Sequence, residues 1–160
     1  MDVRDRLRDD HQHLLELAGH LCEAEDPAQS RKLFHQLKEA LTRHERAEEL
    51  VVYAALAEVD DVPTAGRAHQ GAVEHELADR LLQQSTRGRA DAPIWRARMR
   101  VLSQLLERHV HAEEAEVFEM LGRQFDAREL DKMGERFEEH KERVRLSVPR
   151  SRGPLSPSIG

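Results

Sequence analysis

Two stretches of the sequence each carry a histidine and a glutamate four residues apart: His44 with Glu48, and His109 with Glu113. Four residues along an α-helix return the chain to nearly the same face, so both side chains of each pair can reach one point. Leucine and valine residues flank each pair at helical spacing, which places the pairs on a predicted core face. A carboxylate is costly to bury unless a cation or partner compensates it. These four residues are therefore candidate metal ligands.

Two other predicted helices each contribute one histidine to an apolar face. His11 lies in a row of leucines, and His75 lies in a row of alanine and leucine. An antiparallel bundle can bring such groups together at one level of its core. Four imidazoles and two carboxylates suit iron, manganese or zinc, and the carboxylates can bridge a pair of ions. The predicted ligand set is His11, His44, Glu48, His75, His109 and Glu113.

The composition is typical of an all-α protein. Charged residues make up 35% of the 160 residues and aromatic residues 4%, a balance that favours helices over sheets. A chain of this length can bury one core. Apolar residues at three- and four-residue steps predict an antiparallel up-and-down four-helix bundle with an additional C-terminal helix.

The sequence also predicts where the helices end. We expect core helices between about residues 3 and 122, an extra helix over about 127–146 that packs outside the bundle, and a flexible tail over 147–160. Residues 1–146 then form one helical domain. The first helix should end near Glu25, the second should run from Pro27 to about Glu58, the third should end near Ser85, and the fourth, which Asp91 can cap, should end near Gly122.

Charge and cysteine usage exclude several classes of protein. The net charge is −6 and is spread in mixed-sign runs, so nucleic acid is not an expected partner. The single cysteine, Cys22, rules out an internal disulfide and a cysteine-rich metal site. The sequence has no apolar run of the length that a signal peptide or a membrane span needs. We therefore expect a soluble cytoplasmic protein.

Along the chain, the candidate ligands form the order His, His-x-x-x-Glu, His, His-x-x-x-Glu. This order resembles the hemerythrin-like HHE cation-binding family over roughly residues 3 to 122, as do the flanking sequences HERAEELVVYAAL and HVHAEEAEVFEML. The resemblance implies a non-haem di-iron centre in which an oxo or hydroxo group, Glu48 and Glu113 bridge the two irons. Zinc or manganese could substitute. The four histidines are then neutral terminal ligands.

The sequence departs from oxygen-carrying hemerythrins at one ligand. Those proteins have a fifth histidine, commonly in a His-x-x-x-His pair on the third helix, whereas Gly71 lies four residues before His75. A missing ligand leaves a coordination position open. By the resemblance, this implies reaction with hydrogen peroxide, O2 or NO, including catalase-like turnover. The alternatives are iron or oxygen sensing or O2 binding without turnover, and a metal-free structural bundle.

Three further residues are open candidates for an extra ligand. Asp79 lies four residues after His75 and could replace the missing histidine. His69, six residues before His75, could be the third-helix ligand if that helix has a different register. Tyr53 lies nine residues after His44, about 180° away on an ideal helix. We therefore expect Tyr53 to be a packing residue before a ligand.

The remaining histidines are expected at the surface. His35 and Glu39 form a third His-x-x-x-Glu pair, but His35 lies nine residues before His44 and so about half a turn from the core face. The other histidines expected in solvent are His13, His20, His111 and His140. A ferritin-like or rubrerythrin-like site requires Glu-x-x-His motifs, and no histidine here follows a glutamate by three residues.

Overall fold

Five helices form in the computed structural model, which describes residues 1–147 of the chain. The first helix is Val3–Glu23, the third is Val62–Ser85 and the fifth is Ala127–Ser147. The second helix consists of Pro27–Glu48, a π-helical turn Glu49–Tyr53 and Ala54–Ala57. The fourth helix consists of Pro93–Ala112, a π-helical turn Glu113–Val117 and Phe118–Gln124. The first four pack side by side in chain order, and the first also packs against the fourth. The predicted all-α bundle is confirmed. The predicted tail, apart from Ser147, lies outside the described residues.

The second and fourth helices differ in how their first turns are capped. Asp26 caps the second helix by accepting a hydrogen bond from a first-turn backbone N–H at 2.8 Å, directly before a proline. The predicted cap of the fourth helix is wrong. That helix begins at Pro93, which makes the preceding alanine the cap residue, and Asp91 instead pairs with Arg89 at 2.7 Å.

Two apolar clusters fill the core, one toward each end of the bundle. Trp95 belongs to one cluster and Phe137 to the other. The predicted ligands lie between these clusters on the first four helices. On the first helix, for example, Leu7 belongs to one cluster, Leu14 to the other, and His11 lies in between. The ligand layer is therefore closed off on both sides by packed side chains.

Both helices that carry a His-x-x-x-Glu motif contain a π turn at that motif. The turns are Glu49–Tyr53, directly after Glu48, and Glu113–Val117. A π turn uses more residues than an α turn, so it shifts the faces of all later residues. Ala55, seven residues after Glu48, would share its face on an ideal α-helix, but it is only partly buried, while Leu56 is fully buried.

The fifth helix packs along the first and second helices. Its apolar residues Leu130, Met133, Phe137 and Val144 are all buried. Phe137 is fully buried and belongs to the same cluster as residues of the first four helices. The helix is therefore added to the outside of the four-helix bundle, as expected, but it also completes one end of the core.

Two exclusions made from the sequence can be compared with the described residues. Within residues 1–147, the helices are all too short or too polar to cross a lipid bilayer. Cys22 is an exposed free thiol. A cytoplasmic location and the lack of a nucleic-acid partner stay predictions.

Candidate metal centre

All six predicted ligands converge in the layer between the two apolar clusters. Their exposed fractions lie between 0% and 6%. Five of them, all but Glu113, form two groups that share Glu48, and within each group the ligand atoms lie within 4.8 Å of one another. The first group is His11, His44 and Glu48, and the second group is Glu48, His75 and His109.

The two glutamates lie across both groups. Oε2 of Glu48 is 3.6 Å from Nε2 of His44 and 3.1 Å from Nε2 of His75. Oε2 of Glu113 is 3.8 Å from Nε2 of His11 and 3.0 Å from Nε2 of His109. Each carboxylate thus faces imidazoles of both groups, as a ligand that bridges two ions would.

Several polar atoms in this layer lack hydrogen bonds. Among the side chains that the structure describes, the buried atoms without a partner include Nε2 of His11, both oxygens of Glu48 and Oε1 of Glu113. A buried polar group left unsatisfied costs about 1–3 kcal/mol. Metal ions at this position would satisfy these atoms, and the nitrogen and oxygen donor set suits iron, manganese or zinc. The residues present therefore fit a pair of metal ions.

The outer nitrogen of every predicted ligand histidine donates to a carboxylate. The pairs are Nδ1 of His44 with Asp10 at 3.1 Å, His75 with Glu49 at 2.9 Å, His109 with Glu74 at 2.5 Å, and His11 with Glu114 at 2.9 Å. A proton held on Nδ1 leaves the Nε2 lone pair directed toward the interior. This is how second-layer carboxylates orient metal-binding histidines.

These four carboxylates follow a regular order that sequence reasoning missed. Each is the direct neighbour in sequence of a predicted ligand, but it binds a histidine of a different helix: Asp10 beside His11, Glu49 beside Glu48, Glu74 beside His75, and Glu114 beside Glu113. The available signal was an acidic residue next to a candidate ligand on all four helices. The four helices are thereby linked through the ligand layer in a closed ring.

Burial and mutual contact shift the pKa values of the ligands in opposite directions. Burial alone would lower the pKa of His109, but hydrogen bonds to Glu113 and Glu74 raise it to about 9. At His44, burial has a larger effect than the hydrogen bond to Asp10, and it lowers the pKa to about 4. Burial and the nearby Glu113 raise the pKa of Glu48 well above its ordinary value. At neutral pH without metal, His109 is therefore protonated, and the shift at Glu48 favours its protonated form.

The π turn of the second helix brings Tyr53 into the ligand layer. Its hydroxyl lies 3.5 Å from Oε2 of Glu113, and its ring stacks on His75 with centroids 5.3 Å apart. The angle of about 180° from His44, which holds for an ideal α-helix, does not apply across this π turn. A Cβ atom at position 71 would overlap the Tyr53 ring. Gly71 thus leaves the space that Tyr53 occupies.

The other open candidates lie elsewhere. His69 is exposed, and Asp79 is an exposed residue that hydrogen-bonds Glu45 and belongs to neither ligand group. Glu45, which sequence reasoning did not single out, is buried, and its burial raises its pKa to about 8. His13, His20, His35 and His111 are exposed and His140 is partly buried. Glu39 pairs with Arg43 at 2.5 Å, so the third His-x-x-x-Glu motif is a surface feature, as predicted.

The fold and the ligand layer define a helical-bundle protein whose core contains a histidine and glutamate cluster suited to metal ions. The chain belongs to the family of the hemerythrin HHE cation binding domain, whose model matches residues 2–121. Membership implies binding of metal ions, typically iron. The matched residues include the whole ligand layer and end before the fifth helix.

A curated relative from Nostoc sp. (strain PCC 7120 / SAG 25.82 / UTEX 2576), named "DNA nickase", is 26% identical over 144 residues. The alignment covers 90% of this chain and 40% of the relative. The chain therefore spans less than half of that protein. No solved structure matches the chain.

Proposed function

We propose that the six converging side chains hold two iron ions and that the centre reacts with small oxidants, hydrogen peroxide foremost, in a catalase-like reaction. In this proposal His11, His44, His75 and His109 are terminal ligands, and Glu48 and Glu113 bridge the ions. O2 and NO are further candidate ligands. Zinc or manganese could occupy the same donor set.

The proposal depends on the number of protein ligands, which is smaller than the number of coordination positions that two metal ions offer. Two six-coordinate ions offer roughly twelve positions, of which four imidazoles, two bridging carboxylates and one oxo or hydroxo bridge would take about ten. In the space beside Gly71, where oxygen-carrying hemerythrins have a histidine, this chain has the ring of Tyr53. About two positions are thus left for small ligands.

The chain's own residues determine how the centre would work. Bound iron would supply the redox chemistry, because two ions together can exchange the two electrons that peroxide disproportionation to water and O2 requires. The outer carboxylates keep the four Nε2 atoms directed inward. Burial raises the pKa of Tyr53 far above its usual range, so its phenol stays protonated. That proton, 3.5 Å from Oε2 of Glu113, is available to a small oxygen-containing ligand.

A surface groove between the first and fourth helices approaches the ligand layer. Its lining includes Arg8, His11, Leu15 and Glu114. His11 is only 1% exposed at the end of this groove, so a bulky substrate cannot reach the ligand layer from it. This restriction supports peroxide, O2 or NO as the reacting species.

Oxygen evolution from hydrogen peroxide tests the proposal. We expect the iron-loaded protein to evolve O2, the Glu113→Ala variant to lose this activity, and the Glu39→Ala variant, altered in the surface motif, to keep it. If the iron-loaded protein evolves O2 no faster than Glu113→Ala, the catalase-like reaction is excluded.

A sensing or O2-binding role without turnover is the second candidate. One observation favours it: the fifth helix, beyond the residues matched by the family, contacts a predicted ligand through Asp10. A ligand-induced change in the centre could reach that helix. Absorbance changes on O2 or NO addition, without O2 evolution from peroxide, would favour this role.

A further inference from the structure

The fifth helix reaches the ligand layer at one point. Nζ of Lys141 lies 2.7 Å from Oδ1 of Asp10, and Oδ2 of the same carboxylate accepts a hydrogen bond from Nδ1 of His44 at 3.1 Å. The fully buried ring of Phe137 meets the His44 ring edge-on, with centroids 5.7 Å apart. Phe137 thus supports His44 directly, and Lys141 supports it through the Asp10 carboxylate.

We propose that Lys141 is a positioning residue of the metal centre, which fixes Asp10 on His44 and makes metal binding by the group of His11, His44 and Glu48 depend on the fifth helix. The inference rests on the proposed pair of metal ions but not on peroxide turnover. The family match ends at residue 121, so the family itself assigns no role to this helix.

Asp10 needs such a support because it lies at the edge of the core. It lines a surface crevice together with His13, Arg43 and Lys141. A carboxylate there can turn toward solvent or toward the Arg43 guanidinium, and His44 would then lose its hydrogen bond. Lys141, whose side chain is 18% exposed and lies over the Phe137 ring at 5.2 Å, is itself held in place. It can therefore keep Oδ2 of Asp10 on His44.

The second group has a different support. Glu74, which binds His109, accepts a hydrogen bond from Gln70 of its own helix at 3.1 Å. The buried Arg67, also on the third helix, lies 3.9 Å from the same carboxylate. Both supports lie within the residues matched by the family. Loss of Lys141 should therefore affect one metal position and leave the other unchanged.

The direction of the effect separates positioning from simple charge. If Lys141 acted only as a nearby positive charge, its removal would strengthen cation binding, and a partly exposed charge would do so weakly. If Lys141 positions Asp10, its removal weakens binding at one position, and loss of a second-layer partner typically costs 10–100-fold in metal affinity. The two roles thus predict changes of opposite sign.

The test is a titration of the metal-free full chain with Co²⁺ in competition with a chromophoric chelator. The variants are Lys141→Met, which keeps the aliphatic stem, Lys141→Arg, which keeps the cation, and Lys132→Met, a control at an exposed lysine of the same helix. Asp10→Asn and the Asp10→Asn/Lys141→Met double variant complete a double-mutant cycle. Far-ultraviolet circular dichroism records the helix content of each variant.

We expect the wild-type protein to bind two ions and Lys141→Met to bind one of them about 10–100-fold more weakly. Lys141→Arg should restore binding, Lys132→Met should match the wild type, and Lys141→Met should have no further effect on Asp10→Asn. The inference about Lys141 would be overturned if Lys141→Met bound both ions as tightly as the wild type, more tightly, or with both equally weakened. It would also be overturned if the effects of Asp10→Asn and Lys141→Met on metal affinity were fully additive. Neither outcome would affect the proposed metal centre itself. A wild-type protein that binds fewer than two ions would remove the metal centre and this inference together.

Discussion

Replacing Glu48 by methionine should have opposite effects on the metal-free and the metal-loaded protein. Glu48 is fully buried, and neither of its oxygens has a hydrogen-bond partner among the described residues. An unsatisfied buried polar group costs about 1–3 kcal/mol, and methionine fills a similar volume without that cost. We therefore expect Glu48→Met to stabilise the metal-free protein by about 1–3 kcal/mol. For a chain of this size, each kcal/mol corresponds to a rise of about 2–4 °C in Tm.

The same substitution should remove the stabilisation that metal provides to the wild type. A ligand that binds only the folded state, at 100 times its Kd, adds about 2.7 kcal/mol. We expect the wild-type Tm to rise on metal addition and to fall again with a chelator, and the Glu48→Met Tm to stay constant under both treatments.

Differential scanning calorimetry with and without metal measures both effects. Glu39→Met is the matched control, since it alters the surface His-x-x-x-Glu motif, and it should change the unfolding free energy by less than about 0.5 kcal/mol. If Glu48→Met lowers the Tm of the metal-free protein, the carboxylate stabilises the fold by itself. The unpaired oxygens of Glu48 would then not destabilise the metal-free protein.

Three other predictions concern the surroundings of the ligand layer. Gly71→Ala should destabilise the protein by about 1–3 kcal/mol through overpacking against Tyr53, as measured by chemical denaturation. The same substitution should cost less unfolding free energy in a Tyr53→Leu background. An equal cost in both backgrounds would contradict this contact. Glu74→Gln should lower metal affinity about 10–100-fold, as measured by chelator competition. Unchanged affinity would show that Glu74 does not orient His109 for metal binding. Metal binding at pH 7 should release protons to an indicator dye, because the pKa of His109 is raised to about 9 and a metal needs its unprotonated form. The raised pKa of Glu48 acts in the same direction. Metal affinity should accordingly rise with pH, and the absence of proton release would contradict the protonation of His109.

The faces of the first, second and fourth helices were predictable because apolar residues recur along them at the helical period, whereas the third helix also exposes Val73 and Leu77. His11, His44, His75 and His109 each lie within such a row, and that is enough to direct them to the core. Their convergence at one level follows from packing neighbouring helices in an up-and-down bundle.

The features that sequence reasoning missed depend on deviations from ideal geometry or on contacts between helices. The orientation of Tyr53 follows from a π turn, and no residue pattern in ELVVY reveals that turn in advance. The outer carboxylates, such as Asp10, lie at the flank of a helix, so the histidine that each one binds is fixed only by helix packing. The role of Lys141 requires the docking of the fifth helix, whose loosely spaced apolar residues indicate a buried face but not its partner.

The count of bound metal ions tests the central claim most directly. The metal-free chain would be loaded with Fe²⁺ without oxygen, desalted and analysed for iron per chain, beside a Glu48→Met/Glu113→Met variant of the same fold. We expect two iron ions per wild-type chain and none in the variant. One ion or none in the wild type, or two in the variant, would contradict this expectation.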